Sequence, residues 1–199
     1  MRRSSLLLTI LVVLCLCAVG RAQAKRPNLI AIVTDDQGAW SIGAYGNKDS
    51  RTPNLDRLAR DGALFTNAFV STPVCSPSRA SFLTGLYGTQ VGITDWINMN
   101  ESGAGVGLPP ETVTWPELLK QNGYATALIG KWHLGRLPQH HPTKHGYDHF
   151  WGMLNGGTSR LMNPRMEVDG QLTELKGPVP DLLTDESMRW IEANADANS

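Results

Sequence analysis

The segment Asn28 to Thr34 (NLIAIVT) constrains the fold more than any other stretch, because it is a short, continuous, β-branched apolar run. A run of this kind predicts a strand buried on both faces, as in parallel sheets covered by helices. Thr52-Pro53 predicts a helix start, with Thr as N-cap and Pro in the first turn. Leu55, Leu58 and Ala59 share one face of that helix, and Gly62 ends it. Ala63 to Val70 reads as a second strand. Ser76-Pro77 reads as another N-cap and first-turn pair, opening a short helix that reaches Leu83 and closes near Gly85. Gly88 to Pro110, rich in Gly, Asn and Ser, predicts a long surface loop. Its Gly103, Gly105 and Gly107 do not sit between a strand and a helix, so they read as flexible loop and not as a phosphate cradle. Thr114-Trp115-Pro116-Glu117 is a capping box for a helix running to Asn122, with Gly123 as terminator. Tyr124 to Ile129 is the next buried strand, and Thr184 to Ala195 the last helix, with Asp185 and Glu186 in its first turn. This order predicts an α/β, three-layer sandwich with a mainly parallel sheet.

The N-terminus stands apart from that domain. Met1-Arg2-Arg3 is basic, Leu6 to Val19 is almost wholly apolar, and Ala22-Gln23-Ala24 offers small residues for cleavage. This is the three-part pattern of a secretory signal peptide over residues 1–24. The apolar run ends at Gly20-Arg21, short of the length of a permanent anchor. The expected domain is therefore residues 25–199, exported to a periplasmic, extracellular or lysosomal compartment without a stable membrane anchor. The full chain has 18 basic and 18 acidic residues. That formal charge of zero argues against nucleic acid as a partner, and once Arg2, Arg3 and Arg21 leave with the signal 15 basic residues face 18 acidic ones, a net charge of −3. Cys15 and Cys17 leave too, so Cys75 is a lone cysteine in a compartment where thiols pair, and it calls for an explanation.

Ligands of an open parallel sheet collect at the carboxyl ends of its strands. Three chemical groups are expected there: Asp35-Asp36 after the first strand, Cys75 after the second, and Lys131 with His133 after the third. Each has a bland reading, as caps, packing or surface decoration. Together they are polar groups converging on one rim, with a carboxylate pair suited to a hard divalent cation.

Cys75-Ser76-Pro77-Ser78-Arg79, followed by Leu83-Thr84-Gly85, resembles the Cys-x-Pro-Ser-Arg signature of the sulfatase family. Gly123-Tyr124-Ala125-Thr126-Ala127-Leu128-Ile129-Gly130-Lys131-Trp132-His133 resembles that family's second signature. Thr34-Asp35-Asp36-Gln37-Gly38 and Thr52-Pro53-Asn54-Leu55-Asp56 are similar to its N-terminal landmarks. The resemblance runs from Pro27 to Glu192 and implies an alkaline-phosphatase-like fold.

The resemblance implies a sulfuric ester hydrolase of arylsulfatase type, acting on a small-molecule or glycan sulfate ester. It accounts for the odd cysteine, which in sulfatases is oxidised by a modifying enzyme to Cα-formylglycine, an aldehyde that hydrates to a geminal diol. One hydroxyl of residue 75 would attack sulfur, and the other would lose its proton as sulfate leaves. Asp35 and Asp36, with residue 75, would hold Ca²⁺. Arg79 would fix the formylglycine, Lys131 would bind the diol or the sulfate, and His133 would be the base. A phosphoester or phosphonate hydrolase on the same fold is an alternative. Family members are longer and carry further calcium and sulfate ligands beyond the region matched here. The chain is therefore expected to be the N-terminal portion of the catalytic domain, truncated, or else a short non-catalytic binding module.

All five histidines lie between His133 and His149, at spacings that match no standard zinc pattern. His140 and His141 are expected on a loop at the substrate rim, while His145 and His149 receive no role. Trp96, Trp132 and Trp151 could stack on a sugar or aromatic ring, with core packing as the default.

Overall fold

The computed structural model describes residues 26–158 and 160–195. The signal peptide expected over residues 1–24 lies outside the described residues. The described residues fall into two units, 26–31 with 195, and 32–194. In the first, residues 26–31 form neither helix nor strand. The helices, the strands and the candidate site all lie in the second.

Its helices are α1 (Pro53–Asp61), α2 (Cys75–Thr84), α3 (Met99–Gly103), α4 (Trp115–Gln121) and α5 (Val179–Asn194). Four strands, β1 (Ala127–Lys131), β2 (His149–Met153), β3 (Arg165–Val168) and β4 (Gln171–Glu174), form a sheet in sequential order. β1 and β2 are parallel, in register from Ala127 opposite His149 to Lys131 opposite Met153. β2–β3 and β3–β4 are antiparallel. The α/β class stands, with a mixed sheet among the described residues in place of a mainly parallel one. The reason is the Asp169-Gly170 turn, where both residues take positive φ (49° and 79°) and fold β3 back onto β4 as a two-residue hairpin.

Two expected strands do not form. Residues 28–34 and 63–70 have no strand pairing, and Leu29, Ile30, Ile32, Val33, Phe65 and Phe69 are exposed. β-branched composition favours a pleated surface, but a strand exists only where a neighbour completes its ladder. The helices follow local chemistry more closely. Thr114 and Glu117 make the reciprocal capping box of α4, and Gly85 closes α2 at φ 71°. α2 begins at Cys75 with Val74 as N-cap, two residues before the expected Ser76 cap. α5 begins at Val179-Pro180, which suits a first turn, so Asp185 and Glu186 fall in mid-helix.

Residues 88–110 are not a surface loop. They contain a 3-10 turn at Gly88–Val91 and the Asn98-capped α3. Val91, Ile93, Ile97 and Leu108 from this segment pack with Ala80, Leu83, Trp132, Leu134, Tyr147 and Phe150 in the core. The core therefore wedges between α2 and the end of β1, and fixes the two elements that carry the chemistry.

Candidate active site

Cys75 is the first residue of α2, and Lys131 is the last of β1. The Lys131 ammonium bridges the expected groups, donating to Asp35 Oδ2 at 2.8 Å and to Cys75 Sγ at 3.3 Å. Its side chain is 9% exposed, against 49% for Asp35. Arg79, one turn into α2, donates from Nη1 to the Lys131 carbonyl at 2.6 Å and so ties the helix to the strand end. Burial lowers the Arg79 pKa, with Asp35 and Cys75 opposing. Burial would raise the Asp35 carboxyl, but the Lys131 hydrogen bond and the charges of Lys131, Arg79 and His133 hold it below its ordinary value.

His133 follows two residues after Lys131, in the left-handed region at φ 61°. That conformation is uncommon outside glycine and is held here by the surroundings. Its ring is buried, with Nε2 2.9 Å from the Ile97 carbonyl. A carbonyl can only accept, so Nε2 carries the proton in the neutral ring. Nδ1 is then an unprotonated, buried nitrogen with no partner among the described residues. Burial is the largest cause holding the His133 pKa down, and Lys131 and Arg79 add to it. Gly156 packs so closely that a Cβ there would stand 2.6 Å from the ring's Cε1.

Asp35, Cys75, Arg79 and Lys131 are thus joined by hydrogen bonds, and His133 lies within their electrostatic reach. Asp36 is exposed at φ 53°, and no hydrogen bond joins it to this group. Among the described residues no group of three or more His, Cys, Asp or Glu side chains could hold a metal ion. Ca²⁺ takes six to eight oxygens, and the Asp35 carboxylate already receives an ammonium. The described donors therefore do not fit a calcium site made by Asp35, Asp36 and Cys75 alone.

The other histidines have structural settings. His140 is not at a substrate rim: it is buried, its Nδ1 2.8 Å from the Leu108 carbonyl and its Nε2 3.1 Å from that of Gly105. His141 is half-buried and meets Glu167 through Nε2 at 2.8 Å. His145 is fully buried beside the Trp132 ring, and burial holds its pKa down. His149 Nε2 lies 2.9 Å from Glu186 and links β2 to α5. Sequence reasoning missed two contributors, the Ile97 carbonyl that sets the His133 tautomer and the glycine beneath its ring. Backbone groups carry no residue signal, but the Gly156-Gly157 pair was a visible mark of close approach.

A family model described as Sulfatase matches residues 27–199. Over 139 residues the chain is 44% identical to human steryl-sulfatase, covering 65% of this chain and 24% of that protein. It is 41% identical over 161 residues to rat N-acetylgalactosamine-6-sulfatase, covering 77% of this chain and 30% of that one. The chain spans about a quarter of the length of the curated relatives it matches. Among solved structures, that of Ps i-CgsB is similar with TM-score 0.77 at 33% identity, over 81% of this chain and 40% of that chain. The structure of BT4656 in complex with its substrate D-glucosamine-2-N,6-O-disulfate has TM-score 0.72 at 35% identity, over 84% of this chain and 31% of that chain.

Proposed function

The chain belongs to the sulfatase family, and from that premise we propose that residues 25–199 carry the nucleophile-bearing N-terminal part of a sulfuric ester hydrolase. Residues 1–24 direct its export, and no described helix is long and apolar enough to cross a membrane. The observation that carries the reading is Lys131, whose ammonium bridges Asp35 and Cys75 while Arg79 holds its carbonyl. Two half-buried cations beside one potential nucleophile suit an anionic ester better than any neutral substrate. The family generally uses formylglycine and a divalent metal, and Cys75 is the residue converted here by a formylglycine-generating or equivalent enzyme. When formed, that group supplies a hydrated aldehyde with one hydroxyl to attack sulfur and a second through which sulfate is released.

The chain's own side chains account for the rest. Cys75 Sγ stands where an oxygen of the converted residue would stand. Lys131, 3.3 Å away, favours negative charge at that atom and binds a sulfate oxygen. Arg79 orients Lys131 through its carbonyl and adds positive charge. His133 offers Nδ1 as base, and its lowered pKa keeps that nitrogen unprotonated into more acid solution than an ordinary imidazole. The substrate class is a sulfate ester of a small molecule or glycan.

The test is co-expression with a formylglycine-generating enzyme and mass spectrometry of the peptide containing residue 75. Loss of the thiol and gain of an aldehyde is expected. A persistent thiol, with the enzyme shown active on a control peptide, overturns the reading.

A further inference from the structure

Trp96 plays no part in the reaction proposed above, yet it stands beside it. The residue is 54% exposed, whereas Trp132 and Trp151, with which sequence alone groups it, are 1% and 6% exposed. Core packing therefore explains those two and not this one. The Trp96 ring centroid lies 6.3 Å from that of the His133 imidazole, with the planes inclined at 60°.

The backbone that presents it is pinned from two directions. The Ile97 N–H donates to the buried Ser76 hydroxyl at 3.0 Å, and the Ile97 carbonyl meets His133 Nε2 at 2.9 Å. Ser76 follows Cys75 on α2, so the residue after Trp96 is tied both to the nucleophile's helix and to the base. On its other side the Trp96 N–H donates to Asp95 Oδ1 at 2.7 Å. Next to the glycine that packs on His133, Gly157 faces open space. A flat, apolar, half-exposed surface is thus held at the edge of the site, beside the base.

We propose that Trp96 is a stacking platform for the leaving alcohol, so that the site prefers sulfate esters of flat-faced rings, aromatic or pyranosyl, over open-chain alkyl sulfates. This rests on the sulfate-ester reading and adds the shape of its alcohol. An indole stacks on an aromatic ring or on the C–H face of a sugar, and its two side-chain torsions lose little freedom in doing so. An open chain covers less of the indole and must itself be ordered.

The test measures binding to the 199-residue chain by ligand-observed NMR, with phenyl sulfate, a pyranoside 6-sulfate, butyl sulfate and inorganic sulfate as probes. Trp96→Ala should weaken one or both ring esters about 5–10-fold, and leave butyl and inorganic sulfate unchanged. Trp96→Phe should keep most of the phenyl sulfate affinity. Which ring ester falls identifies the alcohol as aromatic or pyranosyl. Unchanged ring-ester binding in Trp96→Ala, or an equal loss for all four probes, overturns the platform. Lys131→Met should weaken all four probes. If it weakens none, or if the unaltered chain binds none, the sulfate-ester reading falls and takes the platform with it.

Discussion

Two neighbouring glycines should respond oppositely to the same substitution. At Gly156 a Cβ would lie 2.6 Å from His133 Cε1 and 2.8 Å from Nε2, about 1 Å inside an ordinary contact. The imidazole cannot yield freely, because it is buried, hydrogen-bonded to Ile97 at 2.9 Å and carried on a backbone at φ 61°. Shifting it breaks that hydrogen bond and strands the Ile97 carbonyl, a cost of about 1–3 kcal/mol. Overpacking adds about 1–3 kcal/mol, so Gly156→Ala should destabilise by roughly 2–6 kcal/mol in all. At Gly157 a Cβ meets nothing within 4 Å, and Gly157→Ala should be neutral or stabilising by about 0.4–1 kcal/mol through reduced unfolded-state entropy. Urea denaturation of the two variants, read from the midpoint at constant slope, separates the cases. If they agree within about 0.5 kcal/mol, within the spread of ordinary surface changes, the glycine does not hold the imidazole.

In a catalytically active form of the protein, Lys131→Ala and His133→Ala should each lower kcat by about 10²-fold or more. Near-normal turnover in both would remove their assigned roles. Glu186 gives a pH prediction. Burial alone would raise its carboxyl, but hydrogen bonds from Arg189 and His149, and their charges, hold it below its ordinary value. A depressed folded pKa contributes stability that is present above the unfolded value and lost as pH falls through the folded one. Thermal unfolding midpoints should therefore fall less steeply below about pH 4.5 in Glu186→Gln than in the unaltered chain, and parallel acid limbs would refute the coupling.

What the sequence made legible was chemistry carried by side chains at fixed local spacing. The Thr114–Glu117 box and the Gly85 terminator follow from contacts within one turn, whereas Cys75, Arg79 and Lys131 stood out through the motifs that carry them. What escaped depends on partners distant in sequence. Residues 28–34 have strand composition and no ladder, whereas β2 is a strand because β1 and β3 flank it. The segment from Gly88 to Pro110 has loop composition, yet Ile93 and Leu108 are almost fully buried, because a few apolar residues plug the gap between α2 and β1. The β3–β4 hairpin has a local signal in Asp169-Gly170, a pair suited to the two positive φ angles of a tight hairpin turn. His140 looked solvent-facing between prolines, but two carbonyls at 2.8 and 3.1 Å draw it inside.

The sharpest remaining question is what Lys131 does to a cation. Asp35 and Asp36 offer at most four oxygens, and Ca²⁺ wants six to eight. One Asp35 oxygen accepts from Lys131 at 2.8 Å, so a cation placed there meets an ammonium already in position and the nearby Arg79 charge. The repulsion acts at a group half shielded from water, where charge pairs are screened less than in bulk. Titration calorimetry of the 199-residue chain should accordingly show calcium binding no tighter than about 1 mM, the weak end of protein calcium sites. Lys131→Met should tighten it, because Asp35 is released and one positive charge is removed. The same chain, with residue 75 converted, should not hydrolyse an aryl sulfate in millimolar calcium, since the described donors leave most of the cation to water. Micromolar calcium affinity in the unaltered chain, or calcium-dependent hydrolysis that disappears in Cys75→Ala, would show that these few residues suffice.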